Sequence, residues 1–246
     1  YVFSITNQTL PDYEVTYAGG ALTVTDLSGV SGTVLYLYER ADEPGRVRFF
    51  DARRTFSVKG GLKCTTETSV SFLMTDLTSS VTMNAGAGNN TIRVQTNIPG
   101  NVLTLPSLTI NGGAGDDNVQ FAVSVNFLPG ASLDVDLQNE AGGAGLDTVS
   151  ILSNVLMPLL GTGSATIKSS GSILLSNSAQ LTTVDGNLTL EANQQAVPSV
   201  GSFNGITLNT GSRVQASGTG QVTVKGRSGN GTGRHGVVLN GGASIS

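Results

Sequence analysis

Three glycine-rich segments with similar sequences recur along the chain, and each leads directly into a stretch of alternating apolar residues. They read AGAGNNTI at 85–92, GGAGDDNV at 112–119 and GGAGLDTV at 142–149, so the repeat distances are 27 and 30 residues. A repeat of this length is typical of solenoid proteins, in which each unit buries its apolar side only by stacking on the next unit. The chain is therefore predicted to fold as a series of stacked coils.

A second repeat occupies the C-terminal third of the chain. GNLTL at 186–190 returns as GQVTV at 220–224, an offset of 34, and GITLNTG at 205–211 returns as GVVLNGG at 236–242, an offset of 31. Offsets that differ by a few residues are expected when strands stay in register while the loops between them vary in length. Asn209 and Asn240 hold the same place in the two copies and are predicted to stack at a corner through their amides.

Short apolar runs with a period of two predict β-strands throughout the chain. Gly accounts for 33 of the 246 residues, Trp is absent and only 12% of the residues are charged, and no stretch has the apolar spacing of a helix. Because the strands match strands one coil away, the predicted fold is all-β, a right-handed parallel β-helix, since right-handed connections between parallel strands are much the commoner kind. The predicted strands include 21–26, 33–38, 46–50, 69–74, 118–125, 132–137 and 172–175.

The first quarter of the chain differs from the rest. Residues 39–67 contain seven of the 13 Lys and Arg residues, and the first sixty residues lack the glycine-rich turn. We predict two parts, an irregular N-terminal β segment or cap at 1–67 and β-solenoid coils at 68–246. The charged segment is either an ordinary solvated surface or a cap or interface that covers an open strand edge.

The glycine-rich turns carry the most conspicuous chemical signal. Written as G-G-x-G-x-D-x-apolar, they place Asp117 and Asp147 at the acidic position, which Asn90 takes in the first copy. These turns resemble the calcium-binding nonapeptides of RTX proteins, although RTX repeats follow one another directly and these are a full coil apart. The resemblance implies that Asn90, Asp117 and Asp147, with Asp116 beside them, bind calcium. The alternative is a purely structural turn, since Asp and Asn suit tight turns and hydrogen-bond to nearby backbone.

The chain offers few residue types for catalysis. It contains one His and one Cys, which leaves neither a zinc cluster nor a repeated imidazole. The Asp116–Asp117 pair and the Arg234–Gly236 stretch are superficially similar to elements of polygalacturonases, but the other elements of that family are missing. We therefore expect no catalytic residue and no enzymatic activity, with a polysaccharide-active β-helix enzyme as a distant alternative. A net charge of −4 argues against nucleic acid as a partner.

Residues 80–246, rich in Gly, Ser, Thr and Asn, resemble large secreted or surface-attached β-helix proteins of bacteria, such as filamentous haemagglutinin-like exoproteins and autotransporter passengers. The resemblance implies an extracellular or cell-surface protein without a transmembrane segment, serving as a stalk, fibre or envelope component. Its partners would be copies of itself stacked head to tail or further repeats of a longer chain. The sequence begins at Tyr1 and shows no secretory signal, so we expect it to be processed or cut from something longer.

An adhesin that binds carbohydrate or a host surface is the alternative function. Surface glycans would then be the partners, and exposed aromatic side chains would be expected to contact them. The candidates are Tyr36, Tyr38, Phe49 and Phe50. Packing of these four rings inside the core is the competing interpretation, because aromatic residues on strands commonly face inward.

Overall fold

A computed structural model describes residues 12–59, 68–138 and 145–246. Within these residues the only helical element is a short 3-10 turn at Met74–Asp76, and the rest of the regular structure is β-strand. The prediction of an all-β protein is confirmed. No helix in the described residues is long and apolar enough to cross a membrane.

Two nine-stranded sheets make up most of the structure. The first sheet contains β1 (Tyr13–Ala18), β2 (Ala21–Asp26), β5 (Phe56–Lys59), β7 (Ser80–Asn84), β10 (Ser107–Asn111), β13 (Leu133–Leu137), β16 (Ala165–Ser169), β19 (Leu188–Ala192) and β22 (Val222–Gly226). The second sheet contains β3 (Val34–Arg40), β4 (Glu43–Phe50), β6 (Ser69–Leu73), β8 (Thr91–Thr96), β11 (Asn118–Phe121), β14 (Thr148–Ile151), β17 (Ser172–Leu175), β20 (Ile206–Leu208) and β23 (Val237–Leu239).

Six further strands form two smaller sheets. One has two strands, β9 (Val102–Leu105) and β12 (Ser124–Phe127). The other has four strands, β15 (Leu156–Leu159), β18 (Gln180–Thr183), β21 (Arg213–Ala216) and β24 (Ser244–Ile245). We use the word coil for a stretch of chain that contributes one strand to the first sheet and the next strand to the second.

Strands one coil apart pair in parallel. The first sheet runs in this way from β2 through β7, β10, β13, β16 and β19 to β22, and the second sheet does the same from β3 to β23. Val119 pairs with Ile92 on one side and Val149 on the other, which is the register that the glycine-rich repeats predict. The C-terminal repeat is confirmed too, since Leu190 pairs with Val224.

This register stacks like residues on like. In the first sheet the inward columns are apolar, and one of them consists of Leu22, Val81, Leu108, Leu133, Ala165, Leu188 and Val222. The outward column beside it is almost entirely threonine: Thr23, Thr82, Thr109, Asp134, Thr166, Thr189 and Thr223. Asn240 donates from Nδ2 to Oδ1 of Asn209 at 2.9 Å, so the predicted corner pair of asparagines is confirmed.

One strand prediction is wrong in its extent. The run 118–125 was predicted as a single strand, but the chain leaves the second sheet after Phe121 and enters another sheet at Ser124. Val123 and Val125 are both buried, so side chains keep alternating between inside and outside around the corner. Periodicity alone therefore gives no sign of the break.

The sheet formed by β12 and β9 does not continue to β15 because of a proline. The backbone N–H of Leu156 donates to Oγ of Ser124 in β12 at 2.9 Å. Alternate residues of a strand point their N–H groups to the same neighbour, so the nitrogen of Pro158 faces β12 as well, and proline has no N–H to donate. β12 and β15 lie side by side without a backbone ladder.

Antiparallel pairing in the described residues is confined to the N-terminal strands. β1 pairs with β2, β3 pairs with β4, and β4 pairs with β6 in this way. β2 and β3 nevertheless also pair in parallel with β7 and β8, so parallel stacking begins inside the segment 1–67. Residues 1–11 and 60–67 of that segment, with Cys64, lie outside the described residues.

Candidate functional site

The polar residues of the glycine-rich turns line up at one corner of the coils. Asn90, Asp117 and Asp147 each directly precede a strand of the second sheet, and the parallel register places them above one another. All three side chains are buried. We call this set, with the hydrogen-bonded residues at its two ends described below, the inner column.

Glycine is required at this corner because successive turns approach each other closely. A Cβ built on Gly113 would lie 1.4 Å from the carbonyl oxygen of Gly86 in the preceding turn. Gly88 has a φ of +93°, a conformation that residues with a Cβ rarely adopt. The turns therefore stack tightly enough for a side chain of one coil to reach the backbone of the next. Gly142 and Gly143, the first glycines of the third turn, lie outside the described residues.

The side chains of Asp117, Asp147 and Ser170 each accept a hydrogen bond from the backbone of the previous coil. The N–H of Asn90 donates to Oδ1 of Asp117 at 2.9 Å, and the N–H of Asp117 donates to Oδ1 of Asp147 at 2.6 Å. The N–H of Asp147 in turn donates to Oγ of Ser170 at 3.0 Å. The column thus satisfies the backbone donors at the start of three consecutive strands, which would otherwise be buried without a partner.

The second oxygen of each carboxylate is also engaged. Oδ2 of Asp117 accepts the N–H of Gly113 at 2.8 Å, and Oδ2 of Asp147 accepts the hydroxyl of Ser170 at 2.6 Å. In the first copy the amide of Asn90 closes its own turn as a donor, with Nδ2 bonded to the carbonyls of Ala85 at 3.0 Å and Gly88 at 2.8 Å. Acid and amide therefore stabilise the same turn through opposite hydrogen-bonding roles.

Asp116 stands apart from the inner column. It is exposed, its N–H donates to Oδ1 of Asn89 at 2.9 Å, and its own Oδ1 accepts the N–H of Leu146 at 2.7 Å. Asn89, Asp116 and Leu146 form a second, outer ladder along the same corner. Of the four residues predicted to bind calcium, the structure thus brings three together and leaves Asp116 on the exposed side of the corner.

The inner column fits a structural turn better than a calcium site. Calcium takes six to eight oxygen ligands, and within the described ranges no three His, Cys, Asp or Glu side chains stand close enough together to hold a metal ion. The carboxylate oxygens of Asp117 and Asp147 accept hydrogen bonds from N–H or O–H groups, with which a cation would have to compete. Calcium binding by the turn stays a prediction and is tested below.

Two members of the column were missed in the sequence. The hydroxyl of Thr33 donates to Oδ1 of Asn90, and Ser170 closes the other end at Asp147. Neither lies in a glycine-rich turn, so the repeat gives no sign of them. The usable signal is position, since Thr33 directly precedes a strand as Asn90 and Asp117 do.

A second buried polar pair lies at the N-terminal end of the sheets. Oη of Tyr13 donates to Oδ2 of Asp51 at 3.0 Å, and the same oxygen accepts the N–H of Val34 at 3.1 Å. Burial of the ring, together with the Asp51 carboxylate beside it, raises the pKa of Tyr13 well above its usual range. Tyr13 therefore remains a neutral hydrogen-bond donor at physiological pH.

The residues that are superficially similar to a polygalacturonase set are far apart. Asp116 and Asp117 precede β11, whereas His235 lies before β23, four strands further along the second sheet. At about 4.8 Å per strand the separation is roughly 19 Å. The buried carboxylate of Asp117 and the imidazole of His235 cannot act on one glycosidic bond across this distance.

Of the four candidate aromatic residues, three face outward. Phe49 is fully buried, whereas Tyr36, Tyr38 and Phe50 are half-buried and point to the outer face of the second sheet. The ring centroid of Phe50 lies 6.0 Å from that of Tyr36 and 6.2 Å from that of Tyr38. The interpretation that all four rings pack in the core is therefore wrong for three of them.

Comparisons of the chain with models of known protein families, with curated proteins and with solved structures returned no match. The geometry described above therefore carries the functional argument.

Proposed function

We propose that the chain is a right-handed parallel β-helix that serves as a structural part of an extracellular bacterial surface or filament assembly, as a stalk, fibre or envelope component. The observation that carries this proposal is the unbroken parallel register from β2 to β22 and from β3 to β23. A stack of this kind is stiff, because every coil is held to the next by backbone hydrogen bonds and by interdigitated apolar columns. Its function would be mechanical rather than catalytic.

The last coil supports a proposal about partners. Val237 and Leu239 are 38% and 51% exposed, although Ile206 and Leu208, which occupy the same positions one coil earlier, are fully buried. Apolar side chains in interior positions lose this exposure when another coil stacks on them. We propose that this end pairs with a further β coil, supplied by additional repeats or by another copy stacked head to tail.

Location in the extracellular space or on the cell surface is part of the same proposal. The abundance of Gly, Ser, Thr and Asn, the low charge content and the resemblance to bacterial exoproteins support it. The polar inner column explains the glycine-rich turns without assigning them a catalytic role.

Electron microscopy of the purified chain tests the structural role. We expect rods that associate end to end. Lysine substitutions at Val237 and Leu239, which point into the stack, should abolish that association, because a charge buried between coils is costly. Val238→Lys is the matched control, since Val238 aligns with the outward Thr207. Globular particles, or end-to-end association that persists in the Val237→Lys and Leu239→Lys variants, would contradict the proposal.

A specific observation also favours the second candidate function, an adhesin that binds carbohydrate. Tyr36, Tyr38 and Phe50 form an outward cluster of half-buried rings, and the accessible part of a flat ring is suited to contact with the apolar face of a sugar. A rod and an adhesive patch are compatible, because the patch occupies one end of one outer face only.

A further inference from the structure

Aromatic and arginine side chains share one end of the outer face of the second sheet. The alternating burial of β3, β4 and β8 turns six such side chains outward: Tyr36, Tyr38, Arg46, Arg48, Phe50 and Arg93. We call these six residues the aromatic–arginine face. Further along the same row the outward side chains are Gln120, Ser150, Leu174 and Thr207, none of which is charged.

Strand register interleaves the two residue types. In one row Tyr36 lies between Phe50 and Arg93, and in the next row Tyr38 lies between Arg48 and Gln95. Directly opposite side chains on one face of a sheet have their Cβ atoms about 5 Å apart. Each tyrosine therefore has a guanidinium beside it at the distance that separates neighbouring strands.

These guanidinium groups keep unused hydrogen-bonding capacity. Nε of Arg48 and Nε of Arg93 are buried and have no hydrogen-bond partner. Arg48 donates from Nη2 to Oγ of Ser69 at 2.6 Å, but its ion pair with Glu43 is long, at 3.7 Å. Arg93 makes no ion pair with any described residue. Since both Nε atoms are buried, an external acceptor would reach these arginines through their Nη groups, and no described residue occupies those of Arg93.

A cavity of about 240 Å³ adjoins Tyr36 at the end of the aromatic row. Its wall includes Asp51, whose carboxylate is held by Tyr13, by the N–H of Val34 and by the N–H of Arg53. The exposed Arg53 also lines the cavity and adds another positive charge. The cavity is smaller than the roughly 300–1,000 Å³ of small-molecule pockets, which suits one unit of a longer polymer rather than a whole ligand.

The charge of this face is opposite to that of the molecule. Four arginines, Arg46, Arg48, Arg53 and Arg93, outnumber the two acidic residues Glu43 and Asp51 here, whereas the whole chain has a net charge of −4. A negatively charged polymer is attracted to this face and repelled by the remaining surface. A ligand that fits this face must therefore carry negative charge and offer surfaces that pack against aromatic rings.

We propose that the aromatic–arginine face binds an anionic polysaccharide, carboxylated or sulfated. Its sugar rings lie on Tyr36, Tyr38 and Phe50, and its acidic groups pair with the guanidinium groups of Arg48 and Arg93, whose planar donors match an oxyanion. This inference rests on the adhesin alternative and not on the structural role of the rod.

Single-stranded nucleic acid is a less suitable occupant, although it is also anionic and carries flat rings. The planes of Tyr36 and Phe50 are inclined by 35°, and those of Tyr38 and Phe50 by 72°. Successive bases stack on open ring faces, which this tilted and mutually packed cluster does not offer. Contacts to sugar C–H groups have no such requirement.

Binding of the full chain to immobilised dextran, dextran sulfate and polygalacturonate, measured by biolayer interferometry, tests the proposal. We expect binding to at least one of the two polyanions and none to neutral dextran, and the comparison of the two identifies the acidic group. Arg93→Gln should weaken binding roughly tenfold, the effect of losing one charge-assisted contact. Tyr36→Ala should weaken it by roughly the same factor, because the sugar loses the aromatic surface on which it packs. Arg93→Lys keeps the charge but loses the planar pair of donors, so its affinity should lie between those of the unaltered chain and Arg93→Gln.

Two controls lie away from the face. Arg213→Gln removes an exposed arginine on β21, and Leu174→Ala changes an outward side chain further along the same row. Neither should change the affinity. Thermal unfolding of every variant checks that it is folded. If Arg93→Gln does not fold, Tyr36→Ala and Arg93→Lys still test the proposal.

Several results would overturn the inference: no binding to either polyanion, equal binding to neutral dextran, tighter binding to a single-stranded oligothymidine, or equal losses in Arg213→Gln and Arg93→Gln. The outcome is independent of the rod test. Rods that bind neither polymer would overturn this inference alone, whereas binding by particles that are not rods would overturn the structural proposal alone.

Discussion

The backbone N–H of Asp117 donates to the carboxylate of Asp147 at 2.6 Å, across two successive coils. The carboxylate of Asp117 receives in the same way the N–H of Asn90 at 2.9 Å. An acidic residue at this corner therefore holds the coil that precedes it. The acidic position of the glycine-rich turn serves the stacking of coils, whether or not a cation ever binds there.

Replacement of Asp117 by Ala should lower the free energy of unfolding by roughly 3 kcal/mol, because the buried N–H of Asn90 and the half-buried N–H of Gly113 both lose their acceptor. Denaturant unfolding followed by circular dichroism measures the change. Asp116→Ala is the matched control. The exposed Asp116 accepts one hydrogen bond from Leu146, and its loss should cost about 1 kcal/mol or less. Equal effects in the two variants would contradict the role of the inner column.

Calcium should have little effect on stability. The carboxylates of Asp117 and Asp147 already accept hydrogen bonds from the protein, so we expect the same melting temperature with a chelator and with millimolar calcium. A site occupied at a hundred times its dissociation constant would stabilise the fold by about 2.7 kcal/mol. A stabilisation of that size that disappears in Asp147→Asn would instead establish the calcium site that the RTX-like turn implies.

Two adjacent leucines allow the stability cost of truncating a buried side chain to be compared with that of truncating an outward one. Leu175 is fully buried between Ile151 and Leu208, whereas Leu174 faces outward from the same strand. Leu175→Ala should cost about 3 kcal/mol through lost burial and a cavity, and Leu174→Ala should stay within about 0.5 kcal/mol. Similar costs at both positions would mean that the register of β17 is wrong.

Asp134 makes the stability depend on pH. Asp134 is exposed, but partial desolvation at the sheet surface and the neighbouring Asp136 raise its pKa above the ordinary value of 3.8. In the window above that value the folded chain holds the proton more tightly than the unfolded chain, so this carboxyl stabilises the fold in acid and the contribution is lost as the pH rises. Asp134→Asn should therefore raise the melting temperature at neutral pH. The gain should stay below about 0.5 kcal/mol, since an exposed charge is screened by solvent, and should vanish below pH 3.8.

Asp136→Asn is the control for that experiment. Asp136 lies 3.5 Å from Nζ of Lys168 and accepts the N–H of Gln138 at 2.9 Å. Its replacement removes the same repulsion between the two carboxylates but also loses these two favourable contacts, so any gain at neutral pH should be smaller than that of Asp134→Asn. A gain at Asp136 equal to that at Asp134 would contradict the assigned cause.

Most of the stacking was predictable from the sequence, because parallel coils place equivalent residues on one another. The recurrence of the acidic position at Asn90, Asp117 and Asp147 gave the register of the second sheet, and the recurrence of Asn209 at Asn240 gave a corner contact. What the sequence could not show was the direction of the hydrogen bonds. Asp116 and Asp117 are adjacent and chemically identical, and only the backbone decides which of them faces inward.

The apolar periodicity of the sequence could not predict where a strand ends at a corner or which side chains lie on the outer face. The alternation of buried and outward side chains continues through Val123, although the chain passes from one sheet to another at this point. The sequence of β3 also allows either the tyrosines or the leucines to face inward. The structure shows that Leu35 and Leu37 fill the core, so Tyr36 and Tyr38 face outward. Thr33 and Ser170 were missed because their hydroxyls form hydrogen bonds to residues of a neighbouring coil, which lie far away in the sequence.

Distances between spin labels along the threonine column test the central claim, the stacking of coils, most directly. With Cys64 replaced by Ser, a label at Thr223 is paired in turn with one at Thr109, Thr82 or Thr23, which lie four, five and six strands away. At about 4.8 Å per strand, pulsed electron resonance should give backbone separations of roughly 19, 24 and 29 Å. Three distances that rise by one strand spacing each would establish the stack, and distances that do not increase in this order would contradict it.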